Sequence, residues 1–88
     1  MDYQIEHLPE RRRFVTEVDG TTAFVEYDTY GKNFDILHTI VPGPIEGRGV
    51  ASALVGAAYK YALENGYKCN ATCSYAVRWL QRHPEYTA

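Results

Sequence analysis

The chain predicts a two-layer α+β domain, an antiparallel β-meander followed by β-α-β-α. Three observations lead there. Two β-like runs, one alternating and one rich in Thr, Val, Phe and Tyr, flank Asp19-Gly20, the strongest short hairpin signal. A nearly continuous apolar run, Phe34–Val41, has the character of a central strand. Beyond the Gly/Pro-rich turn that follows it, apolar residues change from strand-like to helical spacing.

Each element follows in order. Met1–Glu10 is polar, contains Pro9 and is expected to be a flexible arm, leaving 11–88 as a single domain. Arg12–Val18 alternates, with Phe14, Thr16 and Val18 facing one way. Asp19-Gly20 suits a type I′ turn, which needs positive φ at both central positions. Thr21–Thr29 forms the second strand, Tyr30-Gly31-Lys32-Asn33 turns the chain, and Phe34–Val41 is the third. Val50, Leu54, Ala57, Ala58, Tyr61 and Ala62 then recur at helical spacing until Asn65-Gly66 stops the helix. Its small residues, Ala51, Ala53, Gly56, Ala57 and Ala58, allow close packing on the sheet. Tyr67–Thr72 is a short strand, parallel to the third if the crossover is right-handed. Ala76–Arg82 is a second helix ending before His83-Pro84.

Composition narrows the function. With 88 residues, 45% apolar and 14% aromatic, the chain holds one core and is not a disordered segment. Nine basic against eleven acidic residues give −2, which argues against a nucleic-acid binder relying on phosphate contacts. The basic cluster Arg11-Arg12-Arg13 suits a solvated strand start. No apolar run is long enough for a membrane span, and the first residues lack a signal-peptide core, so a cytoplasmic location is expected.

Cys69 and Cys73 form a C-x3-C pair. On an extended segment they stand several residues apart, which disfavours a disulfide and suits a reducing compartment. Zinc would need further ligands from His7, His38 or His83, which have no compact spacing, so no metal is expected.

The most informative stretch is Thr39–Val55, where an apolar strand meets a Gly/Pro turn that opens into an alanine-rich helix. A helix start carries unpaired N–H groups and the positive end of the macrodipole. Glycines ahead of it let phosphates approach the main chain. Two phosphate-loop patterns fail. In G-x4-G-K-[ST], Arg48 falls where the second glycine belongs; in G-x-G-x-x-G, Ser52 takes the third glycine position.

A third pattern fits. Glu46-Gly47-Arg48-Gly49-Val50-Ala51 is similar to [QR]-x-x-G-x-[GA], the acyl-CoA loop of the GNAT acetyltransferases, with Glu46 in the Gln/Arg position. His38-Thr39-Ile40-Val41-Pro42, Cys73-Ser74-Tyr75 and His83-Pro84-Glu85-Tyr86 add three more elements in the order found in very short GNAT-like proteins. From Phe14 onward the chain resembles that family.

The resemblance implies a minimal GNAT-like fold that binds acetyl-CoA and moves its acetyl group to an amine, a small amine or a protein lysine. It implies a diphosphate held by N–H groups of Gly47, Arg48, Gly49, Val50, Ala51 and Ser52, with a charged contact from Arg48. Val41 would pair with the pantetheine arm. Glu46 is a departure, expected to hydrogen-bond an N–H of its loop or of the ligand. Cys73 could carry the acetyl group as a thioester or simply pack, and Cys69 is expected to pack. His38 could act as a base, orient Cys73 across adjacent strands, or be a hydrogen-bonded core imidazole; His83 is expected to cap helix carbonyls. Where many members place a tyrosine on the last helix, Trp79 or Leu80 stands here, which leaves Tyr75 as a substitute proton donor. Asn70 is a further candidate for ligand contact. The alternatives are a CoA-binding or protein-interaction module without catalysis, and an adaptor without ligand.

Overall fold

The computed structural model describes residues 3–87. Five strands lie in the order of the chain: β1 (Glu6–Leu8), β2 (Arg13–Val18), β3 (Thr21–Tyr30), β4 (Asn33–Ile40) and β5 (Lys68–Ala71). The first three junctions are antiparallel, and β4–β5 is parallel. Helix α1 (Val50–Glu64) makes the crossover, and α2 (Ser74–Arg82) follows β5. Short 3-10 turns occupy Gly43–Ile45 and Pro84–Tyr86. The predicted α+β fold class is the one observed.

Local chemistry explains the elements. Asp19 and Gly20 both take positive φ, 51° and 78°, as a type I′ hairpin requires. Helix α1 ends where Asn65 Nδ2 donates to Tyr61 O at 2.8 Å and Gly66 turns left-handed at φ 79°. Its buried face, Val50, Leu54, Val55, Ala58, Tyr59 and Ala62, meets Phe14, Val25, Tyr27, Phe34 and Ile36 of the sheet. Helix α2 packs on the same layer through Ala76 and Trp79. The opposite sheet face carries Glu17, Tyr30, His38 and Ile40 in the open. There Arg13 lies over the Phe24 ring and pairs with Glu26, while Arg12 pairs with Asp28.

One expectation is corrected. The segment expected to be a flexible arm contains β1, whose Glu6–Leu8 pairs with Arg13–Val15; Met1 and Asp2 of that segment lie outside the described residues. Cross-strand contacts make it a strand, not its own composition. His7 stacks on Phe14 at 4.1 Å, and Thr16 Oγ1 donates to Gln4 O at 2.7 Å. His7 is thus a second strand histidine beside His38.

A β-bulge in the β3–β4 pair decides where side chains point. Tyr27 pairs with Ile36 and Glu26 with His38, which leaves Leu37 unopposed. Phe34 and Ile36 face the helices, and after the bulge it is Thr39 that shares Val25's side. His38 is turned to the open face.

Candidate active site at the end of the fourth strand

Three features converge where β4 ends. The first is the loop from Glu46 to Gly49. Gly47 and Gly49 are left-handed, at φ 75° and 77°, a conformation that strains any side-chain-bearing residue. Gly49 is the N-cap of α1 and has no side chain to satisfy the first-turn donors. Among the described residues, the N–H groups of Gly47 through Ser52 have no hydrogen-bond acceptor. They remain available to an anion.

The second feature is the parting of β4 and β5. Their register ends at Ile36↔Ala71, and the N–H groups of Thr72 and Cys73 both donate to Ile36 O at 3.0 Å as the chain turns into α2. Strand β4 runs on to Ile40 paired only with β3. Its other edge, from Leu37 to Val41, meets no strand among the described residues. Asp35, which sequence inspection missed, fastens the point of divergence: its Oδ2 accepts from Thr72 Oγ1 at 2.8 Å. Its Oδ1 is buried and has no hydrogen-bond partner among the described residues. No local pattern marks it, since it looks like one polar residue in an apolar run.

The third feature is a cleft of about 330 Å³ lined by Val41, Glu46, Gly47, Gly49, Val50, Ala51, Ser52 and Tyr75. Seven of these belong to the predicted cofactor set, and Tyr75 is the predicted proton donor. Tyr75 is 38% exposed in the first turn of α2.

Other candidates sit differently. Cys73 is the N-cap of α2, half-buried, and its Sγ lies 3.4 Å from Thr39 Oγ1. It is not part of the cleft lining. The expectation that His38 orients Cys73 is corrected, because the bulge gives that place to Thr39 and leaves His38 exposed on the other face. Arg48 is corrected as well. Its Nη1 donates to Asp19 Oδ2 at 2.6 Å, and its carbonyl accepts from Tyr3 Oη. The side chain therefore lies against the hairpin, and Arg48 is not part of the cleft lining. The Glu46 carboxylate makes no hydrogen bond with its loop; only its main-chain N–H is engaged, to Gly43 O at 3.1 Å.

Cys69 is buried, burial pushes its thiol up to about 11, and its Sγ faces Tyr59 O. Tyr59 is raised above the usual phenol range by burial, and it donates to Asn70 O at 2.5 Å. The Asn70 side chain is taken up by Asn33 Oδ1 at 2.9 Å. His83 caps as expected, with Nδ1–H donating to Trp79 O at 2.8 Å. Trp79 points inward and donates from Nε1 to Ser52 Oγ at 3.1 Å. Both cysteines are free thiols.

With this geometry in hand, comparison with known proteins decides the family. The profile of the GCN5-related N-acetyl-transferase family matches residues 13–88. The chain belongs to the GCN5-related N-acetyltransferase family. Its relatives include the protein NATD1 of Gallus gallus, 34% identical over 84 residues that span 92% of this chain and 76% of the relative. NATD1 of Homo sapiens is 33% identical, over 92% and 74% of the two chains. A solution structure of a GCN5-like putative N-acetyltransferase from Staphylococcus aureus superposes with TM-score 0.75 at 28% identity, covering 96% of this chain and 83% of that one. As an acetyltransferase-family fold the molecule is small: the sheet face opposite the two helices carries no helix of its own among the described residues.

Proposed function

We propose that this protein binds acetyl-CoA and transfers its acetyl group to an amine. The observation that carries the proposal is the row of unsatisfied N–H groups from Gly47 to Ser52, opening into the cleft that Tyr75 lines. Those N–H groups, at the positive end of α1, suit the diphosphate of coenzyme A. The unpaired β4 edge near Val41 offers main-chain groups to the pantetheine arm, as an added strand would use them.

The chemistry follows from what lines the cleft. The amine nitrogen attacks the thioester carbonyl carbon and gives up a proton to solvent, the C–S bond breaks as the tetrahedral adduct collapses, and the departing thiolate takes up a proton. Tyr75 is the phenol at the cleft, whereas Trp79 is turned toward Ser52 and cannot serve. Cys73 acts in packing, with Thr39 as its neighbour, and attack by the amine is direct. The acceptor approaches from an open surface, which suits an exposed amine such as a lysine side chain. The setting is cytoplasmic, where cysteines stay reduced.

The test has two stages. Coenzyme A at a hundred times its dissociation constant should stabilise the fold by about 2.7 kcal/mol. Acetyl-CoA turnover with a panel of amines should fall about 100-fold in Tyr75→Phe and stay near wild type in Cys73→Ala. No thermal shift removes the proposal. A shift without turnover on any amine leaves a CoA-binding module without catalysis.

A further inference from the structure

The trough does not stop at the loop. A second cleft of about 240 Å³ is lined by Ser52, Tyr75, Arg78, Trp79, Arg82 and His83. Ser52 and Tyr75 line both clefts, so the two adjoin there, one at the end of β4 and the other against α2.

The walls of this second part are built rather than incidental. Arg78 and Arg82 stand four residues apart on α2, so their side chains share one face. Both are exposed, and neither forms an ion pair or side-chain hydrogen bond among the described residues. The contrast with their counterparts matters: Arg12, Arg13 and Arg48 each hold a carboxylate. In a chain of net charge −2, two unpaired guanidinium groups at one cleft form a local positive site. The floor beneath them is rigid. The Trp79 ring is held by Ser52, stacked on His83 at 3.8 Å, and met edge-on by Tyr86 at 5.0 Å.

We propose that Arg78 and Arg82 form a binding site for a phosphate monoester, the 3′-phosphate on the adenosine end of coenzyme A. The proposal rests on the loop being the diphosphate cradle. The division of labour is chemical. A diphosphate shares its charge along a row of main-chain N–H groups, and Arg48 is unavailable to it because Asp19 holds that side chain. A terminal monoester carries more than one negative charge at neutral pH and calls for charge-assisted donors in a fork. Two arginines one helical turn apart supply them. The protein then distinguishes coenzyme A from dephospho-coenzyme A, which differ only in that group.

Calorimetric titration of the full chain with both ligands tests this. The wild type should bind coenzyme A about tenfold tighter than dephospho-coenzyme A, or more, as charge-assisted hydrogen bonds to one phosphate provide. The double variant Arg78→Gln/Arg82→Gln should bind the two alike, with its affinity for dephospho-coenzyme A unchanged. Arg78→Lys/Arg82→Lys should recover part of the preference, which a merely structural role would not produce. If the wild type binds both ligands equally, or the glutamine variant keeps the preference, the phosphate site is refuted while the cradle stands. If the wild type binds neither ligand, both fall together.

Discussion

Arg48 Nη1 and Asp19 Oδ2 lie 2.6 Å apart, joining the β2–β3 hairpin to the loop ahead of α1 across 29 residues of sequence. The pair does two things at once. It ties the hairpin turn to the loop by side chains, and it directs a cation toward Asp19 instead of over the helix start.

Because that guanidinium is already held, Arg48→Gln should leave the affinity for coenzyme A nearly unchanged. Asp19→Asn should release the side chain toward the diphosphate and tighten binding several-fold. Titration calorimetry on the two variants decides it; a marked loss in Arg48→Gln would show that the side chain leaves Asp19 when ligand arrives.

Gly49→Ala probes the backbone alone. At φ 77° an added Cβ meets nothing within 4 Å, so the cost is conformational strain and not a clash. Urea denaturation should show a loss of about 1–2 kcal/mol, and the thermal shift induced by coenzyme A should shrink. An equally stable variant with intact binding would mean the loop does not need its left-handed turn.

Gly56→Ala should do the reverse. The new methyl would sit 3.4 Å from Trp79 Cζ2, at the near limit of ordinary contact, in the middle of α1. Removing a helix-interior glycine is worth about 0.5–1 kcal/mol. For a domain of this size the melting temperature should rise by roughly 2–8 °C. A fall would show that the indole, pinned to Ser52 and His83, cannot yield by even a few tenths of an ångström.

The pH dependence of stability should carry the mark of His7. Burial between Phe14 and Tyr27 lowers its pKa from 6.5. Below 6.5 the unfolded chain takes up a proton that the folded one resists, so stability is full above that value and is lost as pH falls through the folded pKa. Melting curves between about pH 5 and about pH 7.5 should slope upward with pH, and His7→Phe should flatten that slope. An unchanged slope in the variant would assign the effect to another group.

Where local chemistry dictates structure, the chain was legible. Asp19-Gly20 named its turn, Asn65-Gly66 named the helix end, and the change of apolar period from Val50 onward located α1. Seven loop and strand-end residues named for the cofactor do line one cleft. What escaped notice depended on distant partners. Strand β1 is polar and short, and it is the rings of Phe14, Tyr27 and Tyr61, distant in sequence, that half-bury His7. The side chain of Arg48 looked like a phosphate ligand because Asp19 is 29 residues away. His38 looked inward because strict alternation from Phe34 and Ile36 would place it there; one unopposed residue, Leu37, inverts the phase. The two arginines of α2 fell outside the family motif and acquire meaning only beside Ser52 and Tyr75.

Trp79 is the only tryptophan of the chain, 7% exposed, and it sits at the seam between α1 and α2 with its ring in the wall of the arginine-lined cleft. Its emission is therefore a built-in optical probe. Loss of the seam should shift the spectrum to the red, while an adenine settling nearby should quench it without that shift. One fluorescence trace can then separate melting from ligand occupancy, with no label attached.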